Sequence, residues 1–151
     1  MHKCPKEFGA LRTCGRVVPF RAFLLHAGVI CDSLSTAMEK TLFQKIADKE
    51  IPSDMVYEDE HCVAFRDISP SAPVHILLVP RKPLRDIANA TAEDAALLSH
   101  LMLKVGDIAR AQGIAESGFR TVLNTGEDGG QTVPHLHIHI IGGRSMQWPP
   151  G

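Results

Sequence analysis

From Met38 onward, short apolar runs alternate with turn-forming clusters, and their spacing assigns the elements. Leu42, Phe43 and Ile46 recur at helical spacing and stop at Ile51-Pro52, which predicts a short helix. Residues 55–59 and 62–67, separated only by Glu60 and His61, read as a strand pair with a tight turn. Pro70 and Pro73 bracket a loop before a third strand, 74–79, which Pro80 ends; its near-continuous apolar character predicts a central place in the sheet. Thr91 is an N-cap candidate with Glu93 and Asp94 in the first turn behind it. Leu97, Leu98, Leu101, Met102, Val105 and Ile108 then form one apolar stripe of a long helix, and Gly113 stands where a left-handed residue would close it. Residues 119–123 and 136–141 are the last two strands, with the turn-rich 124–130 between them. The order helix, three strands, helix, two strands, with short links, predicts one antiparallel α+β domain over 38–151.

Composition narrows the function more than the fold. A chain of 151 residues with 44% hydrophobic and 22% charged residues supports one soluble core. The formal charge of −1 hides an asymmetry: residues 1–37 carry Lys3, Lys6, Arg12, Arg16 and Arg21 against only Glu7 and Asp32. The remainder is mildly acidic and lacks the basic footprint of a nucleic acid polymer's partner, so a nucleotide ligand would be small. Cys4, Cys14, Cys31 and Cys62 contain no C-x-x-C pair, and the apolar stretch 23–34 is interrupted and too short to span a bilayer. No membrane partner is expected. Residues 1–37 read as an extension, either a disordered tail or the product of a start assigned upstream of Met38; a transit sequence is the weaker alternative. A cytoplasmic location is expected, or an organelle if that segment targets the chain.

The candidate chemistry lies in His135-Leu136-His137-Ile138-His139-Ile140-Ile141. On a strand, alternate residues share a face, so the three histidines would point one way and Leu136, Ile138 and Ile140 into the core. A single histidine there would be an ordinary satisfied polar residue. Three in alternation crowd imidazoles that lower one another's proton affinity, as happens at functional sites. Two chemistries compete for them. A metal site could use His137 and His139 with His75, but the carboxylate that often follows such a pair is missing, since no Asp or Glu occurs after Asp128. Phosphoryl chemistry needs a nucleophile, donors around phosphate oxygens and an acid for the leaving group, all of which histidines can supply. The loop 124–132 adds glycines and side-chain donors just before the histidine run.

That run resembles the H-φ-H-φ-H-φ-φ signature of the histidine-triad superfamily, φ being apolar, and the resemblance extends over about 39–151. Further matches are Thr41-Leu42-Phe43-Gln44-Lys45-Ile46, Phe65-Arg66-Asp67-Ile68-Ser69-Pro70 and Ala72-Pro73-Val74-His75-Ile76-Leu77. The ending Gly142-Gly143-Arg144-Ser145-Met146-Gln147-Trp148-Pro149-Pro150-Gly151 is similar to the tail of the Hint branch. The resemblance implies a five-stranded antiparallel sheet with two helices, a homodimer whose sheets join, and a purine mononucleotide site on each subunit without a cofactor or metal. It further implies His137 as the nucleophile and His139 as the phosphate ligand that assists the leaving group. His135 would orient the nucleophile, and His75 would support the triad. Asp67 would bind the ribose hydroxyls, Phe43 and Ile68 would line the base pocket, and Asn124 and Thr132 would lie near the phosphate and leaving group. Trp148 would reach the partner subunit's site.

The activity so implied is hydrolysis or nucleotidyl transfer on purine nucleoside monophosphate derivatives, phosphoramidates foremost. The alternative is a non-catalytic nucleotide-binding scaffold. The chain departs from the commonest pattern at Pro134, where an aromatic residue is frequent, and at Thr132, where serine is frequent and threonine keeps the hydroxyl. His61 and His100 receive no role.

Overall fold

The computed structural model describes residues 39–150, so the expectations for 1–37, including its three cysteines, lie outside the described residues. The elements run α1 (Leu42–Ala47), β1 (Met55–Glu58), β2 (Cys62–Arg66), β3 (Val74–Pro80), two 3₁₀ turns (Ile87–Asn89 and Ala92–Asp94), α2 (Ala95–Ala111), β4 (Phe119–Val122) and β5 (Ile138–Gly142). The five strands form one antiparallel sheet in the order β1-β2-β3-β5-β4. The expected α+β architecture of five antiparallel strands and two helices is therefore observed, with the apolar third strand at the centre.

Each face of the sheet carries its own apolar layer, because successive side chains of a strand point to opposite sides. Cys62, Ala64, Ile76, Leu78, Ile138 and Ile140 pack with Leu101, Val105, Ile108 and Ala109 of α2. Val63, Phe65, Leu77 and Val79 face the other way, against Phe43, Ile46 and Ala47 of α1. The short helix covers only part of that second face. The histidine run turns its odd-numbered members away from the α2 layer, to which its even-numbered members are committed, and His135 and His137 are buried there.

Four local expectations need correction. The first helix ends at Ala47, before Pro52, because Lys49 takes a left-handed φ of 62° that cannot continue a helix. The last strand begins at Ile138, not residue 136: the segment before it bends, and His135 N–H bonds to the Val133 carbonyl at 2.8 Å instead of joining a ladder. Thr91 is an N-cap as expected, with Asp94 Oδ2 accepting its N–H at 2.9 Å, but the turn it opens, which holds Glu93 and Asp94, is a 3₁₀ turn ahead of the α-helix. Met102 departs from the buried stripe and is 54% exposed beside Leu103 at 72%, while Ala109 takes a core place. The helix stop is as expected: Gly113 has φ +71°, and Ile114 N–H reaches the Ala109 carbonyl at 3.0 Å, closing a Schellman turn with Ile114 buried.

Candidate active site

Two strands, the bend that leads into one of them and one helix terminus bring the site together. β3 presents His75, β5 presents His139, the bend before β5 presents His135 and His137, and the start of α1 sets Phe43 against them. His75 and His139 meet although β3 and β5 set them two residues out of line, His75 opposite Ile141 and Leu77 opposite His139. Their rings span that diagonal, with His75 Nε2 2.9 Å from His139 Nδ1. Phe43 stands edge-on to His137, ring centroids 4.9 Å apart, and also packs on Phe65 at 5.9 Å. Phe43 is thus both core and wall of the site.

The hydrogen bonds determine which nitrogen carries each proton, because a backbone carbonyl can only accept and a backbone N–H can only donate. His135 Nε2 lies 2.9 Å from the Pro80 carbonyl and must carry hydrogen. His137 Nδ1 lies 2.8 Å from the His135 carbonyl and must also carry hydrogen, which leaves the lone pair of the neutral ring on Nε2. Ser71 donates its backbone N–H to His75 Nδ1 at 3.2 Å, so the neutral His75 keeps its proton on Nε2 and gives it to His139 Nδ1. The proton of His139 is then on Nε2, a buried atom without a partner among the described residues. One ring therefore offers a bare lone pair and the next an unspent donor, their centroids 4.9 Å apart.

Burial disfavours a positive charge on two of these rings, His139 and His135. Burial, then the neighbouring His137 and His75, pushes the His139 pKa down to about 4. Burial likewise lowers that of His135, only partly offset by the Pro80 carbonyl. Asp67 brings a carboxylate oxygen to 3.6 Å from His75 Nε2 while its other oxygen accepts Ser69 N–H at 2.8 Å.

The remaining expected residues are placed less tightly. Ile68 is 98% exposed beside Asp67, Asn124 is half-buried at the end of β4, and Thr132 is exposed in the loop entering the histidine run. Trp148 is 84% exposed on the C-terminal tail. Among the described residues no hydrogen bond or ring contact joins these four to a histidine. A groove of about 580 Å³ bounded by Ile46, Ile51, Pro52, Met55 and Tyr57 runs along β1 and holds none of the histidines.

Asp67, His75 and His139 could each turn one donor atom toward a common point, these atoms lying within 4.8 Å of one another. His135 does not converge there, because both its nitrogens are engaged elsewhere, and His137 holds the His135 carbonyl. The histidines form a chain of donors and acceptors more than a cage.

A second cluster joins Asp59, Cys62 and His100. Asp59 Oδ1 accepts the N–H groups of His61 and Cys62 at 2.8 Å each, and Oδ2 accepts Tyr57 O–H at 2.8 Å and His100 Nε2 at 2.7 Å. Burial alone would raise this carboxyl, but the donors outweigh it and hold the group well below the usual carboxylate range. Burial beside that carboxylate pushes the Cys62 thiol up to about 12. A saturated carboxylate and a protonated thiol make this a lock between the β1–β2 turn and α2. His100, given no role on sequence grounds, is its helical half; helical spacing alone cannot show which turn a polar ring will meet.

A HIT domain model matches residues 48–146. HIT-like proteins of Synechococcus elongatus and Synechocystis are 59% and 55% identical over 113 residues, each alignment covering 75% of this chain and 98% of the relative. Among solved structures, a HIT family hydrolase from Legionella pneumophila superposes with a TM-score of 0.73 at 45% identity, covering 74% of this chain and all of the other. A histidine triad nucleotide-binding protein from Candida albicans gives 0.63 at 26% identity, covering 73% and 83%. The matched stretch includes all four histidines of the site, and the sheet that holds them superposes on proteins of the same family at substantial identity; this chain belongs to the HIT domain family.

Proposed function

We propose that this protein is a hydrolase or nucleotidyl transferase of purine nucleoside monophosphate derivatives, phosphoramidates above all, working through His137. The observation that carries this reading is the proton arrangement: a bare Nε2 lone pair on His137 beside an unpartnered Nε2–H on His139. The names of the Legionella hydrolase and the Candida nucleotide-binding protein agree with it.

The chemistry balances without a metal. An anionic phosphoryl group at the His139 donor restores the proton affinity that burial removes, so His139 enters the reaction as imidazolium. His75 then turns its Nε2–H toward Asp67, 3.6 Å away. His137 Nε2 attacks phosphorus, the P–N bond breaks, and His139 passes its proton to the departing nitrogen, which leaves as a neutral amine. Water then attacks the phosphorus of nucleotidyl-His137 and returns a proton to His139, freeing the nucleoside monophosphate and both rings. An amine is a poor anionic leaving group, so a positioned acid accelerates P–N cleavage most.

In the same reading Asp67 holds the ribose hydroxyls, Phe43 and Ile68 border the base, and Asn124 and Thr132 flank the phosphate and leaving group. The active form is a homodimer. Among the described residues no strand pairs with the outer edge of β4, and Met102 and Leu103 expose apolar side chains on α2, which a second copy would cover. Trp148 then reaches toward the partner's site.

The test is to incubate the metal-stripped full-length protein with adenosine 5′-phosphoramidate and follow AMP release. Wild type turns over, whereas His137→Ala retains AMP binding and loses turnover. Activity only after zinc is restored would support a site at Asp67, His75 and His139 instead. Tight nucleotide binding without turnover of any phosphoramidate would support the scaffold.

A further inference from the structure

We propose that Thr41 is a positioning residue that ties the N-terminus of α1 to the triad, setting the proton arrangement of His135 with the hydroxyl that caps the helix. This rests on the functional reading above only for its effect on turnover. Its geometry stands independently.

Thr41 Oγ1 accepts the Gln44 N–H at 3.1 Å, the usual service of an N-cap to a first-turn donor. The same oxygen lies 3.0 Å from His135 Nδ1, 94 residues along the chain. A hydroxyl has one proton and can accept twice. The cap bond uses one acceptor position, and the nearby acceptor for the proton is His135 Nδ1. The opposite nitrogen of that ring is already committed as a donor to the Pro80 carbonyl. Thr41 O–H to Nδ1 and Nε2–H to Pro80 therefore satisfy a fully buried ring in its neutral state, with no polar atom left over. Burial acts in the same direction, since it disfavours the charged imidazole.

The consequence passes to the nucleophile through the backbone. His135 supplies the carbonyl that takes the His137 Nδ1–H, so anchoring the His135 ring at both nitrogens fixes the bend that aims this carbonyl. It also keeps a positive charge away from His137, whose ring becomes cationic when it bonds to phosphorus. Because Thr41 begins α1, the same anchor sets the entry of the helix that places Phe43 edge-on against His137. One hydroxyl thus coordinates the wall of the site with the tautomer behind its nucleophile.

Three variants separate the two roles. Thr41→Ser keeps both hydrogen bonds. Thr41→Asp keeps the cap but has no proton to give, so it must draw one from Nδ1 and turn His135 into a double donor. Thr41→Val loses both. In the full-length protein with ¹⁵N-labelled histidine, two-bond ¹H–¹⁵N spectra report which ring nitrogens are protonated, whether or not any substrate turns over. Wild type and Thr41→Ser should show His135 protonated on Nε2 alone near neutral pH, and Thr41→Asp should show both nitrogens protonated. With adenosine 5′-phosphoramidate, kcat should fall about ten- to hundredfold in Thr41→Asp, the usual span for removing an outer hydrogen-bond partner, with Thr41→Ser within about twofold of wild type. His135 protonated on Nδ1 in wild type, or unchanged spectra and kcat in Thr41→Asp, would overturn the proposal. Should Thr41→Val fail to fold, Thr41→Asp still decides the matter, because its cap is intact. A wild type with the expected spectrum but no phosphoramidate turnover would overturn the functional reading and leave the assignment of the ring in place.

Discussion

At the scale of the residue, the site is a set of proton positions before it is a set of side chains. His139 shows what that costs. Its pKa near 4 in the folded protein lies below the ordinary imidazole value of about 6.5, so the unfolded chain binds the extra proton first. Stability contributed by the neutral ring is therefore complete above about pH 6.5 and is lost as pH falls toward 4. The shift amounts to a penalty on the order of 3 kcal/mol by the bottom of that window, at about 1.4 kcal/mol per unit. Urea unfolding at pH 7 and pH 4.5 should show wild type losing roughly 2 kcal/mol more than His139→Asn, in which the titrating ring is absent. Equal losses would place the ring in a more hydrated setting. The alternation of three histidines with apolar residues is legible in the sequence, as is the pairing of their faces with the core. The partners that decide their tautomers are not: Thr41, Ser71 and the Pro80 carbonyl are distant in the chain or belong to the backbone, and neither leaves a periodic signal.

Elements are legible where one physical rule acts alone. The long helix and its Gly113 stop follow from periodicity and a single left-handed residue, and the central third strand follows from its apolar run. Boundaries fail where another contact competes. The strand of the triad starts late because the chain bends to bury the His135 ring, and period-2 patterning continues through the bend without registering it. Gly142, at the end of that strand, gives an element-scale prediction. A methyl group there would stand 2.7 Å from Ile114 Cδ1, 3.1 Å from its Cβ and 3.2 Å from its Cγ2, in the turn that closes α2. Gly142→Ala should cost about 1–3 kcal/mol by overpacking, read as a lower urea midpoint with unchanged slope. Adding Ile114→Val should recover part of it. If the single substitution is neutral, the junction of α2 with β5 is looser than its contacts indicate.

For the whole molecule, the number of chains in the working unit turns on the surface that a single copy leaves uncovered. Among the described residues the sheet ends at β4 with no further strand beside it, and α2 leaves Leu103 72% and Met102 54% exposed. Adjacent exposed apolar side chains and a free strand edge are what a second copy would cover. Leu103→Glu would bury a charge in such an interface, so light scattering should find wild type at twice the chain mass and the variant shifted toward a single chain, with far-ultraviolet dichroism unchanged. A wild type at the mass of one chain would remove the dimer. The stripe Leu97 to Ile108 hides the exposure of Met102 in the sequence, because an apolar residue left exposed and one facing the core can have the same spacing.

The strand order has a temporal consequence. β5 is last in the chain yet enters the sheet between β3 and β4, and it is the strand with which β4 pairs. A growing chain can form the β1-β2-β3 meander as it emerges, whereas β4 must wait for the final segment to arrive as a wedge. Closure of the sheet and assembly of the histidines are thus a single late event of high sequence separation. During synthesis His75 therefore meets His139 only when the final strand is in place, so the histidine cluster arrives together with architectural completion.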